Sequence, residues 1–157
     1  MKWRPGHSAI ENGRSVLPKL VEKYFKAGRK ASDGKRSPHE LHQFRIKTKQ
    51  FRYTLELFRP LYGAPLEHEL DAVRGLQSVL GKLHDFHVIA SLLAGDRAVQ
   101  AKLQRLTKKK LKDFHQQWAS FDSNGQLKRW KQFLAGDQAK SAHAGQRRRN
   151  RVKALSR

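Results

Sequence analysis

Residues 37–60 read SPHELHQFRIKTKQFRYTLELFRP, and this stretch decides the fold because its start, its buried face and its charged face can each be read separately. Ser37 is placed to cap a helix, Pro38 suits a first turn where its missing N–H costs nothing, and Glu40 stands where a capping box needs a carboxylate. Pro60 marks the other end. At about 100° per residue, Leu41, Phe44, Thr48, Phe51, Leu55 and Phe58 share one stripe, the pattern of a helix docked on a core. His42, Arg45, Lys49 and Arg52 form a second stripe about 100–110° round the wheel. A basic row that only keeps a helix soluble lies opposite the core. This one lies on the flank, so it points along the groove toward a neighbouring helix, where positive charge can be presented to one polyanion.

The same residues carry a resemblance. HQFRIKTKQFRY resembles the signature helix of the conserved histidine alpha-helical domain, CHAD, through His42, Arg45, Ile46, Lys49, Phe51 and Arg52, while Gln50 stands where that family has a second adjacent base. LQSVLGKLHDFHV, from Leu76 to Val88, is similar to a second CHAD segment, with His84 in place of the usual arginine. The two motifs together cover residues 38–93. The resemblance implies a helical module that binds inorganic polyphosphate without an established catalytic activity. The family's usual domain resembles two bundles related by pseudo-twofold symmetry, whereas this chain has length and motifs for one.

The bulk properties agree with a polyanionic partner. The 157 residues suit one domain with a core of ordinary size. Lys and Arg number 34 against 13 Asp and Glu, a formal net charge of +21, far more than solubility requires. Without cysteine there is neither a disulfide framework nor a thiolate site. No apolar run follows the N-terminus as in a signal peptide, and none approaches the length of a membrane span, so the expectation is a soluble, cytoplasmic protein.

The remaining elements are read from periodicity. Residues 8–27 place Ile10, Gly13, Leu17, Leu20, Val21 and Tyr24 at helical spacing, with Pro18 expected to kink or divide the helix. Arg14 falls beside that apolar stripe and is its one candidate site residue, whereas Lys19, Lys23 and Lys26 fall behind it. Residues 28–35 read as a polar connection. A third helix is expected over 65–94 with Ala72, Leu76, Val79, Leu80, Leu83, Phe86, Ala90 and Leu93 inward, and Lys82 on its flank as a possible second wall of the basic site. Gly95 and Asp96 punctuate the chain before a fourth helix, 96–121, that buries Val99, Leu103, Leu106, Phe114, Trp118 and Phe121. Its cations Lys102, Arg105, Lys109 and Lys112 read as solvated surface. After the turn signal at 122–125, Leu127, Trp130, Phe133 and Leu134 suggest a short final helix. Residues 140–157 hold seven basic and no acidic residues, so 137–157 reads as a disordered basic tail after a helical domain spanning 1–136.

Enzymatic motifs are missing. Gly75 and Gly81-Lys82 miss the phosphate-loop spacing by one residue, and Leu83 stands where a hydroxyl is needed. HExxH, ExxH and GxSxG patterns do not occur. His39 with His42, and His84 with His87 beside Asp85, could bring imidazoles together from two helices, but the expectation is no metal and no cofactor. His42 has two readings, a donor to an anion or a structural hydrogen bond between helices.

The expectation is therefore all-α: an antiparallel four-helix bundle plus a short C-terminal helix. Its proposed activity is non-catalytic binding of polyphosphate by His42, Arg45, Lys49 and Arg52, with Arg14 and Lys82 in support, in a homodimer whose second copy supplies the other half. RNA or DNA binding through the tail is the alternative, and a metal-dependent phosphohydrolase a more distant one.

Overall fold

The structure is a computed structural model that describes residues 3–34 and 36–136. Among them the chain forms α1 (Ala9–Ser32), α2 (Pro38–Tyr62), α3 (Ala64–Leu92), α4 (Arg97–Phe121) and α5 (Gln126–Ala135), with no strand. The expected basic tail, and with it the proposed domain boundary, lies outside the described residues.

Both N-terminal helices begin on capping boxes. Ser37 Oγ accepts from the Glu40 amide at 3.2 Å and the Glu40 carboxylate accepts from the Ser37 amide at 3.0 Å. Ser8 and Glu11 repeat the arrangement at the start of α1. Both glutamates are thereby held below their ordinary pKa, chiefly by hydrogen bonds from the serines. Pro18 does not divide α1, which runs unbroken to Ser32, and the connection to α2 is therefore shorter than the expected 28–35. Packing explains the extension: Phe25, Gly28 and Ala31 are buried, and Gly28 lies so close to the Trp118 indole that a Cβ there would overlap it. Helix α2 continues two residues past Pro60 to Gly63, whose φ of 68° and ψ of −155° are open only to glycine, and that single residue joins α2 to α3.

Contacts alternate in direction, as in an up-and-down bundle: α1 packs on α2, α2 on α3 and α3 on α4, a lighter α1–α4 contact closes the ring, and α5 lies along α1. The core is aromatic where α1, α2 and α4 converge. Tyr24 stacks on Phe51 with centroids 4.1 Å apart and meets Phe44, Trp118 and Phe121, and Trp130 of α5 closes the layer against Phe51 and Phe121. Burying each of these rings is worth roughly 1.5–3 kcal/mol relative to exposure. Thr48, on the apolar stripe of α2, satisfies its hydroxyl by donating to Phe44 O at 2.9 Å.

The apolar faces of α3 and α4 differ from expectation in the first turns and the last turn of α3 and at Leu106 of α4. Leu66, Leu70 and Val73 are buried, whereas Ala72 and Leu93 are exposed, Phe86 and Ala90 are half-buried, and Leu106 of α4 is exposed. At the C-terminal end of α3 the antiparallel register is the reason. His42 faces His84, so Pro38, where α2 begins, lies level with the last turns of α3, which have no α2 beside them. Val88, Ile89, Leu92 and Leu93 accordingly stay at the surface.

Candidate functional site

On α2 the basic row extends by one step of four to Glu56, giving His42, Arg45, Lys49, Arg52 and Glu56. On α3 the residues Leu70, Arg74, Gln77, Gly81 and His84 repeat at the same alternation of three and four. These stripes face one another across the α2–α3 seam, and two contacts fix their register. At one end His42 Nδ1 and His84 Nδ1 are 3.2 Å apart with ring centroids at 4.5 Å. At the other, Arg74 Nη2 donates to Glu56 Oε1 at 3.3 Å. Between them, by this register, Arg45 lies level with Gly81 and Lys49 level with Gln77. At position 81 the α3 stripe carries no side chain, and a Cβ there would meet no atom within 4 Å.

The seam is electrostatically uneven. Arg52 donates to Glu56 at 3.2 Å and stacks on Tyr53, its guanidinium carbon 4.4 Å from the ring centroid. Arg74 also donates to Glu67 at 2.6 Å and to Asp71 at 2.8 Å, so carboxylates balance the cations at this end. Arg45 and Lys49 are half-buried and form no ion pair among the described residues. Buried Arg45 Nε, Arg52 Nε and Gln77 Oε1 lack a protein partner, so this half-buried strip retains hydrogen-bonding capacity. Burial first, then the positive charges of His42 and Arg45, push the His84 pKa down, opposed by Asp85.

Beyond the histidine pair the seam opens into a cavity of about 330 Å³ between α2, α3 and α4. Its walls combine Leu41, Leu83 and Leu103 with His42, His87 and Lys108.

Four of the six candidate residues share the seam: His42, Arg45, Lys49 and Arg52. Arg14 does not join them. It is exposed and packs beside Gly136 and near Tyr62, at the far end of α2. Tyr62 lies 17 positions beyond Arg45, so that end is about 25 Å from Arg45 at 1.5 Å per residue. Lys82 is exposed on α3, about a third of a turn from the stripe that faces α2. The structural reading of His42 is realised by its contact with His84, and the two readings of that side chain are compatible. Gln77 and Arg74 were not singled out from sequence, although the three-and-four alternation of α3 through Gly81 and His84 was there to be followed. His39 is exposed in the first turn of α2, and no cluster of three or more metal-ligating side chains occurs among the described residues. No helix among these residues is long and apolar enough to cross a membrane.

No curated protein and no solved structure matches the chain. A family model does: the CHAD domain matches residues 2–94, more than half of the chain, taking in α1, α2 and α3 with both faces of the seam. The chain belongs to the CHAD family.

Proposed function

We propose that this protein binds inorganic polyphosphate without chemical turnover, along a basic channel made by the α2–α3 seam. CHAD domains are associated with polyphosphate binding and are generally binding domains. The observation that carries the reading is the half-buried pair Arg45 and Lys49, one turn apart and free of ion pairs among the described residues, flanked by His42 and Arg52. A guanidinium fork and an ammonium at that spacing suit successive phosphates of one chain. A phosphate chain has no bases to read, so it needs neither a helix projecting into a groove nor aromatic stacking platforms. Phe44, Phe51, Phe114, Trp118 and Phe121 are committed to the core, and the exposed Tyr53 ring is engaged by the Arg52 guanidinium. In this reading Arg14 and Lys82 contribute to the long-range field rather than to contact.

A second copy completes the site in the same proposal. The exposed apolar end of α3, with Val88, Ile89, Leu92 and Leu93, is the surface offered to it, next to the cavity at the histidine end of the seam.

The test is a direct competition. Affinity for long-chain polyphosphate is measured against single-stranded RNA of matched charge at several salt concentrations. Both affinities fall with salt. Polyphosphate is expected to bind the more tightly throughout, and Arg45→Ala with Lys49→Ala to lower polyphosphate affinity more than RNA affinity. Equal affinities that respond equally to the substitutions refute the assignment.

A further inference from the structure

The contact between His42 and His84 restricts how many protons the two rings can hold. An Nδ1–Nδ1 separation of 3.2 Å is a hydrogen bond only if one nitrogen carries a hydrogen and the other presents its lone pair. One neutral ring must therefore be the Nδ1–H tautomer and the other the Nε2–H tautomer. A third proton can be held on the outer nitrogen of the donor ring, leaving the bond intact. A fourth would set two N–H groups and two positive charges face to face, so the contact must open.

The surroundings favour the lower proton count. From α2, Arg45 adds positive charge; from α3, His87 adds a third imidazole and Asp85 a carboxylate; across the cavity α4 presents Lys108, and Arg36 lies on the chain leading into α2. Arg36 is within 4 Å of Asp33 and Glu40, at 3.7 and 3.6 Å, which accounts for part of its charge. The pair has a cation-rich setting and lies partly buried at the junction of the seam and the cavity.

We propose that His42 and His84 form a proton-linked latch on the anion site: closed on one shared hydrogen bond when the site is empty, and opened by proton uptake when a polyanion occupies the seam. The proposal rests on the polyphosphate reading of the row. A chain of phosphates beside Arg45 offsets the local positive charge and supplies acceptors for both rings, so the state with two imidazolium ions becomes accessible. The sign follows from linkage. Ligand raises the affinity of the pair for protons, so binding takes up protons, and affinity rises as pH falls through the window between the bound and the free pKa values. The latch also gives the seam a specificity, because an anion too short to reach from Lys49 to the histidines draws no proton.

Two measurements test it. In the free protein, imidazole nitrogen NMR is expected to show complementary tautomers at His42 and His84 and two separated protonation steps. Two rings of the same tautomer titrating independently near the ordinary value of about 6.5 overturn the latch. Calorimetry with long-chain sodium polyphosphate at pH 7, in buffers of different ionisation enthalpy, is expected to show net proton uptake, with Kd falling about tenfold between pH 8 and pH 6. His84→Gln and His42→Gln should each collapse that pH ratio to about twofold or less, and His87→Gln should keep it. If His84→Gln retains the full ratio, or if wild-type binding is independent of pH, the latch is wrong while the polyphosphate reading stands. No saturable binding at either pH removes both.

Discussion

At Glu56 one carboxylate accepts from both Arg52 and Arg74, so the charge of Arg52 is shared before any ligand arrives. Arg45 has no such partner among the described residues, and its guanidinium is free to contribute more. Arg45→Ala is expected to weaken polyphosphate binding at least tenfold, in line with about 1.5–3 kcal/mol for a charge-assisted hydrogen bond. Arg52→Ala should cost about threefold or less, since Glu56 already offsets its charge. Glu56→Gln should tighten binding about fivefold, by about 1 kcal/mol of removed repulsion and released arginine. Titrations of the three variants at one low salt concentration check the order, and a Glu56→Gln protein that binds more weakly than wild type contradicts it. Proximity on the helical wheel could bring His42, Arg45, Lys49 and Arg52 together from sequence, because they belong to one element. It could not reveal which of them an acid on the next helix would engage, since Glu56 and Arg74 meet only after α3 has folded back.

For the helices, capping and close approach have separable consequences. Ser37→Ala removes the hydroxyl that accepts from Glu40 N, and the expected loss is about 1 kcal/mol in urea unfolding, with no change in the core. Gly28→Ala places a methyl against the Trp118 ring, and overpacking of this kind costs roughly 1–3 kcal/mol, seen as a lower unfolding midpoint. An unchanged midpoint in that variant would mean α1 and α4 can separate without cost at this level. The capping box at Ser37 was legible because its signal is local: serine, proline and glutamate at fixed offsets. The continuation of α1 through Gly28 was not, since a glycine followed by a polar run reads as a break until the indole of a distant helix is known to occupy the missing side chain's space. The same limit explains α3. Its apolar positions announce a helix, but whether Ala72 or Val73 faces inward depends on where α2 and α4 lie around it.

Across the whole molecule, the net charge of +21 opposes association while the uncovered end of α3 favours it. Light scattering at micromolar concentration is expected to show a mass that rises from monomer toward dimer as salt screens the repulsion, and Leu92→Glu should hold it at the monomer. A monomeric mass under all these conditions, with polyphosphate affinity intact, eliminates the second copy from the site. The topology also fixes an order of assembly. Because Gly63 alone links α2 to α3, the seam is closed by a hairpin of neighbouring segments, whereas α5 reaches α1 through pairs such as Lys131 and Glu22, 109 positions apart. Short-range closure carries the smaller entropic penalty, so α2 and α3 should acquire amide protection first in a refolding pulse, and the binding strip would exist before the rest of the molecule has condensed around it.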